Sequence, residues 1–120
     1  MDNIYNLSVD NNENIILDAT IINVSLNIYS MKEPEQIKIL LQSICKGKKR
    51  YLLSFNDVKE FIFVGDELGA STYVERYNFF IWDGFYYITL DPYDEYNQKP
   101  HDRDNFVIVA KNVSRESIDA

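Results

Sequence analysis

The sequence predicts a mainly β domain, an antiparallel meander closing into a sandwich or half-barrel, on three observations. An Asp-Gly pair, Asp83-Gly84, separates two alternating aromatic-rich runs in the stretch Arg76 to Glu95, RYNFFIWDGFYYITLDPYDE. Two further stretches, Ala19 to Ser30 and Arg50 to Val64, alternate apolar and polar residues, the period of a strand with one face buried. The aromatics are nearly all Tyr and Phe, and with abundant Ile and Val they suit a pleated surface. The alternative is an α+β fold with a helix at about residues 34–46.

In chain order, residues 1–14 are polar and Asn-rich, and Ile4, Tyr5, Leu7 and Val9 offer at most a short strand, so fraying is expected there. From Ala19 to Ser30, Ile22, Val24, Leu26 and Ile28 point one way while Ile21, Asn23, Ser25, Asn27 and Tyr29 point the other. Pro34, between two glutamates, breaks this strand. Ile37 to Cys45 reads two ways: Ile37, Ile39 and Leu41 form one face of a returning strand, and Ile37, Leu40, Leu41 and Ile44 form a helical stripe. The helix has favourable ends, with Glu33 and Glu35 at its start and Lys46, Gly47, Lys48 and Lys49 at its finish, but only about three turns.

Lys46 to Arg50 (KGKKR) is the basic cluster of the chain and reads as a solvated turn. In Arg50 to Val64, Tyr51, Leu53 and Phe55 share a face, Asn56-Asp57 suggests a bulge or bend, and Phe61 and Phe63 resume the alternation. Gly65 to Ser71 reads as a loop; Asp66 and Glu67 and the missing Gly-Lys-Ser ending exclude a phosphate cradle. Asp83-Gly84 suits a type I′ turn, in which both central residues need φ > 0. That turn fixes the register, pairing Trp82 with Phe85, Ile81 with Tyr86, Phe80 with Tyr87, Phe79 with Ile88, Asn78 with Thr89, Tyr77 with Leu90 and Arg76 with Asp91. Ile81, Tyr86, Phe79, Ile88, Tyr77 and Leu90 then share an apolar face, expected to be core. The opposite face grades from Trp82, Phe85, Phe80 and Tyr87 near the turn to Asn78, Thr89, Arg76 and Asp91. Asp91 to Asp104, with Pro92 and Pro100, is a loop; Asn105 to Ala110 (NFVIVA) reads as a central strand covered on both sides. The tail from Asn112 is expected to add one helical turn before fraying.

At 120 residues the chain is expected to form a single domain, 1–120, able to bury a core without staples. The lone Cys45 has no internal disulfide partner, and the first residues carry neither a basic region nor an apolar run, so the expected location is cytoplasmic. No apolar stretch reaches the ~18 residues of a membrane span, and the Asn-x-Ser triplets at Asn6, Asn23 and Asn112 are chance matches in an Asn-rich chain. The formal charge of −7 repels nucleic acid and anionic lipid and favours encounter with a basic protein. No nucleic acid or membrane partner is therefore expected.

No catalytic or cofactor motif is present, so the expectation is a non-enzyme without cofactor. His101, between Pro100 and Asp102, reads as a surface histidine remote from Cys45. Asp91, Asp94 and Glu95, or Asp102 and Asp104, match no calcium-loop spacing, and no metal is assigned. The candidate partner-binding site joins hairpin and loop: Phe80, Trp82, Phe85 and Tyr87 as anchors, rimmed by Asp83, Asp91, Asp94 and Glu95. Against this, the Asp91 to Asp104 segment is long enough to fold back over the aromatics. An aromatic pocket for a small ligand, lined by Tyr77 and Tyr86, is the second functional reading.

Asp18-Ala19-Thr20-Ile21 and Leu53-Ser54-Phe55-Asn56-Asp57-Val58-Lys59-Glu60-Phe61 resemble the Asp-Ala-x-Ile start and Leu-x-Phe-x-x-Val-x-x-Phe segment of small, β-rich bacterial immunity proteins of polymorphic toxin systems. The likeness covers roughly residues 15–64. Where such proteins often carry a histidine before the aspartate, this chain has Leu17. The resemblance favours a strand for Ile37 to Cys45. It implies an inhibitor that occludes a basic, nucleic-acid-acting toxin domain.

Overall fold

The computed structural model describes residues 5–10, 12–27, 35–44, 49–63 and 72–118. Its elements are α1 (Tyr5–Ser8), β1 (Val9–Asp10), β2 (Glu13–Asn14), β3 (Thr20–Asn27), β4 (Gln36–Gln42), β5 (Arg50–Ile62), β6 (Thr72–Tyr73), β7 (Asn78–Trp82), β8 (Phe85–Asp91) and β9 (Asn105–Ile118). β1 and β2 form a small ribbon, and the other strands form one seven-stranded sheet in the order β6-β3-β4-β5-β9-β8-β7. Every pairing is antiparallel, so the domain is two meanders, β3-β4-β5 and β7-β8-β9, joined where β5 runs against β9. The domain is mainly β, as expected.

The edges of this sheet decide its shape. β6 and β7 lie at opposite edges, yet only four residues, 74–77, join them. A flat seven-stranded sheet would separate its edges by roughly 29 Å, whereas the five steps from Tyr73 to Asn78 span at most about 18 Å. The sheet must therefore curl, and of the two expected forms it is the half-barrel. All seven strands except β6 send side chains into one core, which Val74, just beyond β6, joins.

Irregularities in the strands supply the curl. In β5, Tyr51, Leu53 and Phe55 face the core; Asp57 at φ 53 shifts the parity so that Val58 faces inward, and a bulge between Val58 and Glu60 returns it for Phe61. The bend expected at Asn56-Asp57 is thus real, followed by a second device that the sequence did not disclose. In β3 a bulge between Ile21 and Asn23 corrects the expected faces: Ile21, not Ile22, is buried, while Val24 and Leu26 still pack on the core. β4 is a strand, with Ile37, Ile39 and Leu41 fully buried, whereas Ile44, inward in the helical reading, is 63 % exposed. The Asp83-Gly84 turn has φ of 52 and 80, and the expected pairs from Trp82–Phe85 to Asn78–Thr89 are present, whereas the ladder stops there, short of the expected Tyr77–Leu90 and Arg76–Asp91 pairs.

The described residues toward both chain ends differ from expectation. Leu7 is buried in the core, Tyr51 Oη donates to Asp10 Oδ2 at 2.6 Å, and Arg115 Nη1 donates to the Val9 carbonyl at 2.6 Å, so residues 5–10 are docked and not frayed. Ile15 and Ile16, fully buried, anchor it further. The tail from Asn112 is no helical turn: β9 continues to Ile118 because Asn112 to Ile118 pair with Asn56 to Arg50, and a partner strand outweighs a weak local preference. The break at Pro34, the glycine loop at Gly65 to Ser71, Cys45 and most of the basic cluster lie outside the described residues.

Candidate functional site

β7, β8 and β9 are covered on both faces at their centre. On the outer face Phe80 and Tyr87 stack with centroids 4.8 Å apart and are buried with Val107 and Val109 as a second, smaller core. This corrects the expectation that both present a partner-binding surface. The covering element is the loop 92–104, and Asp104 fastens it. That carboxylate, itself only 6 % exposed, accepts hydrogen bonds from Tyr87 Oη at 2.6 Å, the Tyr93 amide at 2.9 Å and the His101 amide at 3.0 Å. Asn78 Nδ2 adds bonds to the Asp94 and Asn97 carbonyls at 2.9 and 3.2 Å. Burial, followed by the bond to Asp104, raises the Tyr87 phenol well above its ordinary pKa. The fold-back alternative therefore describes the centre of this face.

The hairpin tip escapes that cover. Trp82 is 46 % exposed, with its indole edge-on to Phe80 at 6.5 Å, and Asp83 and Gly84 are exposed beside it. Phe85 is half-buried, with Lys59 Nζ lying 4.6 Å from its ring centroid in a cation–π contact. Together Trp82, Asp83 and Phe85 bound a shallow cleft of about 240 Å³ whose other walls include Lys59, Glu60 and Pro100, with Tyr87 at its base. Sequence reasoning missed Lys59, Glu60 and Pro100. The first two are turned outward by the bulge between Val58 and Glu60, which has no glycine or proline to announce it.

The acidic rim does not encircle this tip. Asp91 ends β8, six residues and about 20 Å from Phe85 along the strand, where it sits 3.9 Å from Arg76. Asp94 is held beside Asn78, about 13 Å along β7 from Trp82, and its own carboxylate accepts from the Tyr96 amide at 3.0 Å. Glu95 lines a different cleft of about 410 Å³ with Tyr77, Phe79, Asn14 and Leu17. Among the sequence-derived site residues, then, Trp82, Asp83 and Phe85 come together at the surface over Phe80 and Tyr87, while Asp91, Asp94 and Glu95 stand apart.

For the small-ligand reading, Tyr77 does line that larger cleft, but Tyr86 is buried in the core against Phe79. His101 stacks on Tyr93 at 4.1 Å and its Nδ1 accepts the Arg103 amide, so it serves the loop. Among the described residues, no three His, Cys, Asp or Glu side chains are grouped to hold a metal ion, and no helix is long and apolar enough to cross a membrane. Comparison with known proteins gives no significant match: no family model, no curated protein and no solved structure is similar to this chain.

Proposed function

We propose that this chain is an immunity-type inhibitor that binds and occludes a basic, nucleic-acid-acting toxin domain, with Trp82 as its anchor and Asp83 and Glu60 at the rim. The observation that carries the reading is the half-exposed indole held at the end of a rigid two-residue turn. A tryptophan offers up to ~250 Å². Covering the exposed 46 % removes roughly 115 Å² from water, worth about 3 kcal/mol before ordering costs. The net charge of −7 supports fast encounter with a basic partner, and the likeness to immunity proteins in residues 15–64 supports the class.

Affinity capture from the native cell, with wild type and Trp82→Ala side by side, tests it. The expected result is a basic protein held by wild type and lost with the variant, whose nucleic-acid cleavage falls when the wild-type chain is added. Equal capture by both chains, or a captured protein whose activity is unaffected, would overturn the proposal.

A further inference from the structure

The outer edge of β7 is the second surface with a definite chemistry. In a two-residue hairpin the residues flanking the turn form a hydrogen-bonded pair, and such pairs alternate along the ladder. Trp82, Phe80 and Asn78 therefore bond to β8, the backbone N–H and C=O groups of Ile81 and Phe79 point the other way, and the same alternation carried one residue before the strand adds Tyr77. β7 has no strand partner on that side among the described residues. Sheet edges are normally blunted by Pro, Lys or extreme shortness. β6, the opposite edge, is two residues long, but β7 reads NFFIW, with neither charge nor proline. Phe79 and Tyr77, the latter just before β7, line the 410 Å³ cleft together with Ser8, Val9, Asn14 and Leu17, and Asn14 Nδ2 donates to Tyr77 Oη at 2.6 Å. Among the described residues Glu95 is the one charged residue of the cleft's walls.

We propose that the edge of β7 at Tyr77, Phe79 and Ile81 takes an extended segment of a basic protein as an eighth strand, lying in the cleft beneath Glu95. Donors and acceptors directed away from β8 fit a β-strand backbone, a mode in which main-chain bonds give affinity and alternate side chains give specificity. Glu95 and the chain's overall charge select lysine or arginine on that segment over a second, equally acidic copy of this chain. The proposal does not depend on the hairpin tip, so Trp82→Ala leaves it intact.

The test is amide hydrogen exchange by NMR on the full chain, with an octapeptide alternating Lys and Val as the probe. Three comparison arms use the Glu-Val counterpart, a Lys-Val peptide N-methylated at alternate residues, and no peptide at raised protein concentration. The expected result is exchange slowed at least tenfold at Tyr77, Phe79 and Ile81 by the Lys-Val peptide alone. It should persist in Trp82→Ala and weaken several-fold in Glu95→Gln. Absence of protection at millimolar peptide, equal protection by the N-methylated peptide, or protection from self-association without peptide would overturn it.

Discussion

Replacing Tyr87 with phenylalanine removes one oxygen from the fastening of the 92–104 loop and nothing else. The ring keeps its stack on Phe80, so no cavity opens, and Asp104 keeps its bonds from the Tyr93 and His101 amides. What is lost is a buried 2.6 Å hydrogen bond to a carboxylate, an interaction worth about 1.5–3 kcal/mol. In a domain of this size that amounts to a fall in Tm of roughly 8 °C. Asp104→Ala should cost more, about 4 kcal/mol, because it strands the Tyr87 hydroxyl and two backbone amides together. The pH dependence has a definite sign. The folded phenol holds its proton above its ordinary value, whereas in the unfolded chain it ionises near pH ~10. Its contribution is therefore complete below about pH 10 and is lost as the pH rises from there toward the folded pKa. Urea titrations at pH 7 and at stepped pH above 10 should show wild type losing stability faster than Tyr87→Phe in the alkaline range. A variant within 0.5 kcal/mol of wild type at pH 7, with parallel alkaline profiles, would refute the assignment of Asp104 and Tyr87 as the loop's clasp.

Other substitutions probe the remaining structure. Leu53→Ala, at a fully buried position facing the core, should destabilise by about 2–5 kcal/mol in chemical denaturation. Gly84→Ala meets nothing within 4 Å, so its cost is backbone strain alone at φ +80, about 1 kcal/mol by the same measurement. Trp82→Ala should weaken partner binding by about 2 kcal/mol or more, some 30-fold in Kd by calorimetry, with the fold intact by circular dichroism. Asp94→Lys, remote from the tip, should mainly slow association, seen as a lower on-rate in surface plasmon resonance that converges with wild type at high salt.

Much of this fold was legible because local chemistry and tertiary pairing agree. Asp83-Gly84 has one low-energy turn, and that turn alone dictates five cross-strand pairs. NFVIVA is apolar on both faces because Ile108 lies in the main core while Val107 and Val109 lie in the smaller one. The misreadings arise where non-local contacts overrule a local pattern. The bulge at Ile22 turns Ile21 into the core in place of Ile22, without any glycine to mark it. Arg115 and Tyr51 tie down an N-terminal segment whose own sequence looks disposable. The candidate site divided similarly: its aromatics were found by alternation, but which of them stays exposed depends on Asp104, seventeen residues from Tyr87 in sequence. Nothing in a polar loop says that one of its five acids is turned inward.

Trp82 is the only tryptophan, so its fluorescence reports the hairpin tip directly. The decisive measurement is its emission and its quenching by acrylamide, for the free chain and for the chain bound to the basic protein proposed as its partner. Partial quenching is expected in the free state, then a blue shift and strong protection on binding. An indole that stays equally quenchable in the complex would place the contact elsewhere and contradict the claim that this residue is the anchor.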